Sequence, residues 1–208
     1  KATLEPLTDY SKFKVQCEEI LLSKTDSNFI GSVIRPATVC GYSPRQRLDL
    51  VVNILTNFAY HKKKIKIFGG TQLRPNIHIN DMVDSYICLL KSDVKKISNE
   101  VFNVGFENHS VDTLAKLVKN NIKENVEIEY SKSDDNRSYH INSTKISDKL
   151  GFVPKKNINE AIKDLIDAFK KKSLTNTFEN EDYFNIKKMQ KINLVWWKYV
   201  TPILKINF

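Results

Sequence analysis

Asp9-Tyr10-Ser11-Lys12-Phe13-Lys14-Val15-Gln16-Cys17-Glu18-Glu19-Ile20-Leu21 reads as one amphipathic helix, and residues 29–34 follow it as a buried strand ended by Pro36. Phe13, Cys17, Ile20 and Leu21 recur at helical spacing and are expected to face a core. Tyr10 and Lys14 stand four apart, so they share a helix face. An ammonium beside a phenol favours the phenolate. Such a Tyr can pass a proton near neutral pH, as oxidation of an alcohol requires. The same spacing also arises by chance, where it means a partly buried Tyr beside a solvated Lys.

The alternation of helix and strand continues down the chain. Periodicity predicts a helix over 48–60, a strand over 65–68 closed by Gly69-Gly70, and a helix capped by Asn80 or Asp81 that runs to 90. A strand over 101–104, a helix over 112–122 and a strand over 126–130 follow. Ser143 caps a short helix that stops at Gly151, and a last helix starts at Asn157 or Asn159 and reaches 171. Such alternation predicts an α/β fold. Residues 174–182 are polar and read as a linker. Residues 183–208 mix Lys with Trp196, Trp197, Tyr199 and Phe208. This extension could pack on its own protein, the reading we prefer, form an oligomer contact, or lie on a membrane surface.

Composition narrows the class. At 208 residues, with 41% hydrophobic and 10% aromatic content, the chain suits one soluble globular domain or most of one. No apolar run approaches the roughly 20 residues that span a bilayer, so no membrane-spanning segment is expected and a membrane partner is the less favoured reading. The net charge is +9. Its clusters, His61-Lys62-Lys63-Lys64, Lys155-Lys156 and Lys170-Lys171-Lys172, are short and lie near helix ends, where cations suit the helix dipole. They lack interleaved aromatics, and a solvated surface is expected rather than nucleic-acid binding. Cys17, Cys40 and Cys88 are scattered, as reduced core thiols of a cytoplasmic protein are. No metal-ligand spacing and no G-x-S-x-G elbow is visible.

Further segments extend the first motif. Ser32-Val33-Ile34-Arg35-Pro36-Ala37-Thr38-Val39-Cys40-Gly41 forms a strand and turn, and Ile65-Lys66-Ile67-Phe68-Gly69-Gly70 a second strand. Then come Arg74-Pro75-Asn76-Ile77-His78-Ile79-Asn80-Asp81-Met82, Phe102-Asn103-Val104-Gly105, Arg137-Ser138-Tyr139, Lys145-Ile146 and Leu150-Gly151-Phe152. In this order, from about Thr8 to Lys172, they resemble the C-terminal part of the extended short-chain dehydrogenase/reductases. That group comprises the NAD-dependent sugar-nucleotide epimerases and dehydratases. The resemblance implies the C-terminal half of a Rossmann-like doubly wound domain plus a small α/β substrate-binding domain over 1–172, with the extension in 173–208. The chain departs from the family in lacking G-x-x-G-x-x-G, the turn that holds the pyrophosphate. It also lacks the family's Ser or Thr upstream of the Tyr. A fragment is therefore expected, with a missing N-terminal half and an incomplete NAD site.

The resemblance assigns roles residue by residue. Tyr10 would be the acid/base and Lys14 would hold the nicotinamide ribose, while Pro36, Ala37 and Thr38 would form a wall of the cofactor site. Thr38, Lys66, Ile67, Phe68, Arg74, Arg137 and Tyr139 would bind substrate, the two Arg residues as diphosphate clamps, since a planar guanidinium pairs phosphate oxygens bidentately. Arg45 or Arg47 could meet phosphate too; both otherwise belong to a solvated helix N-terminus, where cations oppose the dipole. His78 is expected to support the fold. The implied activity, in the intact parent, is that of an NAD-dependent epimerase of a nucleotide-linked sugar, of the UDP-glucose 4-epimerase kind, acting through a transient keto sugar; the fragment alone is expected to be inactive. A dehydratase or reductase of the same family, or a non-catalytic binding remnant, is the alternative. The implied partners are a nucleotide-diphosphate sugar and a second copy of the chain in a homodimer.

Overall fold

The computed structural model describes residues 9–132 and 138–192. Among them, helices alternate with short strands, as the periodicity predicts. The order is α1 (Asp9–Ser23), β1 (Ser32–Pro36), β2 (Thr38–Cys40), α2 (Val51–Lys62), β3 (Lys64–Phe68), β4 (Leu73–His78), α3 (Ile79–Lys91) and α4 (Val94–Ile97). β5 (Glu100–Val104), β6 (Glu107–Ser110), α5 (Val111–Asn121), β7 (Glu127–Ser131), α6 (Thr144–Leu150), α7 (Ile158–Lys170), a single 3-10 turn (Glu181–Tyr183) and α8 (Asn185–Lys191) complete it.

Three strand groups carry the helices. β1 pairs parallel with β5, Ser32 opposite Glu100 and Pro36 opposite Val104. β2 pairs parallel with β4, which in turn pairs antiparallel with β6. β3 pairs parallel with β7. Ala37 joins the first two groups, because its N–H donates to the Val104 carbonyl at 2.7 Å. The β1/β5 pair has helices on both faces. Ile34 and Phe102 face Met82, Cys88 and Leu89 of α3 and Ile146 of α6. On the other face, Arg35 donates a fork to the Glu18 carboxylate of α1, with Nε to Oε2 at 2.9 Å and Nη2 to Oε1.

The largest core lies between α2, α5 and α7, where Val52, Leu55, Ala59, Leu114, Val118, Ala161 and Ile162 meet Ile65 and Ile67 of β3. α7 starts with a full capping box: the Asn157 side chain accepts from Glu160 N–H, and the Glu160 carboxylate accepts from Asn157 N–H. The buried Asp81 carboxylate accepts from the N–H groups of Lys155 and Lys156 at 3.0 and 2.8 Å, tying α3 to the entry of α7. β3 ends at Gly69-Gly70, whose φ values of +77° and +132° favour glycine.

Several sequence expectations need correction. Phe13 and Ile20 are 64% and 62% exposed, Cys17 is exposed and Leu21 half-buried. The face of α1 that meets the sheet is the neighbouring one, Ser11, Val15, Glu18 and Leu22. Periodicity locates an apolar stripe but cannot tell which partner covers it. The strand begins at Ser32 rather than Phe29, because the Asp26 carboxylate accepts from the N–H groups of Asn28 and Phe29 and closes a turn there. α2 begins at Val51, and the caps of α3 and α5 are His78 and Ser110. β2, β4 and β6 are strands that local pattern did not announce. The expected linker is packed chain: Leu174 and Thr177 are 6% and 4% exposed.

Cysteine chemistry follows burial. The Cys40 thiol is pushed up to about 12, first by burial and then by the carboxylates of Glu107 and Asp81. A thiol held protonated is a poor nucleophile. A thiol reagent should therefore label Cys17 in the native protein within minutes and reach Cys40 only on unfolding. Equal labelling of the two in native conditions would contradict this burial.

Candidate active site

A cleft of about 880 Å³ opens between β3, β4 and the start of α2. Lys66, Ile67 and Phe68 border it from β3, Arg74 from β4, and Thr38 from β2. Strand alternation explains the β3 set: Ile65 and Ile67 point into the core, while Lys66 and Phe68 point out, and the Lys66 ammonium lies 5.2 Å from the Phe68 ring centroid. Tyr139 closes one side, with the Arg74 guanidinium 6.0 Å from its ring centroid. Arg74 also donates from Nη1 to the Leu73 carbonyl at 2.9 Å. The substrate residues expected from sequence thus converge on one opening. Arg137 lies outside the described residues.

A second cavity of about 550 Å³ adjoins the first, and both are bordered by Thr38, Leu50 and Tyr139. Its walls are Tyr10, Pro36, Ala37 and the loop that precedes α2. Ala37 can sit there because Gly105 follows the last residue of β5. A Cβ at Gly105 would stand 2.9 Å from the Ala37 Cβ and 2.7 Å from Ile141 Cγ2, so glycine permits this approach of strands. Tyr10 is 73% exposed at the head of α1. It also borders a third groove of about 560 Å³, with Lys14, Cys17, Glu18 and the β1 strand. The Lys14 ammonium lies 5.7 Å from the Tyr10 ring centroid, the contact that a spacing of four implies.

His78 stands apart from this opening. Its Nδ1 accepts from the Asn80 N–H and its Nε2 donates to Asp164 at 3.1 Å, so it fastens α3 to α7. Arg47 lies in the loop before α2 and forks onto Asp49 at 2.9 and 3.0 Å. The expected conflict with the helix dipole is absent, because both Arg45 and Arg47 precede the first turn. Sequence reading missed Asp49, Leu50, Ile54 and Phe58 as cleft residues. Leu50, Ile54 and Phe58 are each four apart, a stripe that sequence alone assigns to a core.

Comparison with known proteins places the chain. Residues 1–105 match the sequence model of the NAD dependent epimerase/dehydratase family. The chain belongs to that family. Its similarity extends past the matched region: a UDP-glucose 4-epimerase of Lactobacillus helveticus is 27% identical over 180 residues, covering 76% of this chain and 54% of the relative. The chain thus spans about half the length of the curated relative it matches. The solved UDP-glucose 4-epimerase of Thermotoga maritima, with UDP-glucose, is 25% identical with a TM-score of 0.70, covering 84% of this chain and 60% of that one. A dTDP-glucose 4,6-dehydratase of Bacillus anthracis, in complex with NAD, shares the fold at 21% identity and a TM-score of 0.69, over 90% of this chain and 57% of that one. The α/β architecture with parallel strands is the Rossmann-type arrangement of these structures.

Proposed function

We propose that this chain carries the sugar-nucleotide half of an NAD-dependent epimerase acting on a nucleotide-linked sugar through a transient keto sugar. The observation behind this reading is the adjacency of the two cavities, which share Thr38, Leu50 and Tyr139 in their walls, with Arg74 in one and Tyr10 in the other. The larger cleft suits a nucleotide: Phe68 offers an apolar wall for the base, and Arg74 a guanidinium for the diphosphate. The smaller cavity suits the sugar and ends at a phenol. Similarity to UDP-glucose 4-epimerases supports a UDP-sugar as the substrate class.

Tyr10 takes the proton from a sugar hydroxyl as the carbon it sits on is oxidised, and gives it back on reduction. The Lys14 ammonium, 5.7 Å from the Tyr10 ring centroid, is the cation that accompanies this phenol. Pro36, Ala37 and Thr38 border the smaller cavity beside the phenol and would form the wall shared by the sugar, at Thr38, and the nicotinamide. The groove beside Tyr10 and Lys14 fits the nicotinamide end of NAD, since it opens on the same phenol that borders the sugar cavity. When bound, NAD supplies a hydride acceptor that later returns the hydride. Arg137 would join Arg74 on the diphosphate. The exposed stripe of Tyr10, Phe13, Cys17 and Ile20, with the β1 strand beside it, suits cover by a Rossmann-like N-terminal half or a second copy in a homodimer.

Calorimetric titration with UDP, dTDP, GDP and CDP, then with NAD, tests the reading. We expect UDP to bind, and Arg74→Ala to weaken it about 10- to 100-fold, the range for a charge-assisted hydrogen bond. A folded chain that binds none of the nucleotides, or an Arg74→Ala variant that binds UDP as tightly as wild type, would overturn it.

A further inference from the structure

The loop over 41–50 builds much of the site's wall. Ser43, Gln46 and Arg47 border the smaller cavity, Asp49 the larger, and Leu50 both. From inside, the loop is held by Gln46, whose Nε2 donates to the Arg47 carbonyl at 2.9 Å, and by Asn53, whose Nδ2 donates to the same carbonyl at 2.8 Å. From outside, it is held by chain more than a hundred residues later in sequence. Leu48 N–H donates to the Tyr183 carbonyl at 2.9 Å, and Asn185 N–H donates to Asp49 Oδ2 at 3.1 Å. That carboxylate also receives the Arg47 fork, so Asp49 joins the loop, its arginine and the later segment at one group.

The same segment braces the cleft a second time. Phe178 meets Phe58, a cleft residue, edge to face with centroids 5.0 Å apart. Asn57 Nδ2 donates to the Thr177 carbonyl at 3.4 Å, and Leu174 is buried among Leu48, Leu165 and Phe169. A surface tail would have no reason to bury Leu174 and Thr177 under the helix that lines a ligand cleft.

We propose that residues 174–191 form a strap that sets the shape of the sugar-nucleotide cavity, with Asp49 as the positioning residue through which it holds the 41–50 loop. This rests on the site reading above for the identity of the ligand, though not for the mechanical tie. The strap restricts the loop before ligand arrives, so less ordering remains to be done on binding. It acts on the cavity walls through Asp49 and Phe58 rather than by lining them, from residues that lie beyond the region that the family model matches.

Asn185→Pro isolates the tie. Asn185 is the first residue of α8, a position where proline is tolerated, and the change deletes the N–H that reaches Asp49. Asn185→Ala keeps that N–H and serves as control. UDP titration of the chain should show about fivefold weaker binding for Asn185→Pro than for Asn185→Ala, with the two melting within about 2 °C of each other. Hydrogen exchange of the 41–50 amides in the absence of nucleotide supplies a readout independent of the ligand. Faster exchange at Leu48 and its neighbours in Asn185→Pro than in Asn185→Ala would support the strap even if wild type bound no nucleotide. Equal exchange in the two variants would overturn the strap, as would equal UDP affinity where wild type binds. Absence of nucleotide binding with altered exchange would instead overturn the site reading alone.

Discussion

Replacing Tyr10 by Phe is expected to lower turnover of a nucleotide-linked sugar by about 10²- to 10⁴-fold, the range for loss of a positioned acid/base. UDP affinity should stay within about twofold, because the phenol borders the smaller cavity and Arg74 the larger cleft proposed for the nucleotide. The variant removes one oxygen from a side chain that is 73% exposed, so the fold should not respond. The assay, under the proposed function, is interconversion of UDP-glucose and UDP-galactose with NAD present by the intact parent protein, read beside calorimetric UDP binding. An unchanged rate would remove Tyr10 from the chemistry. A large loss of UDP affinity would mean that the phenol serves binding rather than proton transfer. Lys14→Met should follow the same pattern more weakly, since it withdraws the charge that stands 5.7 Å from the ring without removing the acid.

Phe102→Ala is expected to cost about 3–5 kcal/mol of stability, the range for deleting a fully buried aromatic side chain. Phe102 is 0% exposed at the centre of the second core. It lies in β5 opposite Ile34 of β1 and packs with Met82, Val104, Ile146 and Phe152. These neighbours come from two helices, two strands and a loop, and the backbone of the paired strands cannot collapse to fill a hole of that size. Urea unfolding should show the midpoint falling with little change in slope. A loss below about 1 kcal/mol would mean that the cavity closes, and that the β1/β5 pair is looser than its packing shows. The prediction also bears on function, since β5 runs into Gly105 and the Ala37 wall. A partly folded Phe102→Ala protein should lose UDP binding along with its core.

The sequence by itself determined the features that depend on neighbours a few residues apart. The helices of Asp9–Ser23, Val111–Asn121 and Ile158–Lys170 and the shared face of Tyr10 and Lys14 all follow from spacing, because local backbone geometry fixes which side chains meet, whereas the structure chose Asn157 over Asn159 as the cap of the last helix. The ordered motifs were also legible, and they led to the family without any contact being known. Only the tertiary structure decided what covers each surface. α1 turns Val15 and Glu18 to the sheet rather than Phe13 and Cys17, since Arg35 on β1 grips Glu18. Thr38, Lys66, Phe68, Arg74 and Tyr139 share a cleft although they span a hundred residues of chain. The 174–182 segment reads as polar linker, yet Leu174 packs with Leu48 and Phe178 meets Phe58, both far upstream in the chain. Burial is a property of pairs of elements, and long-range pairing leaves no period in the sequence that encodes it.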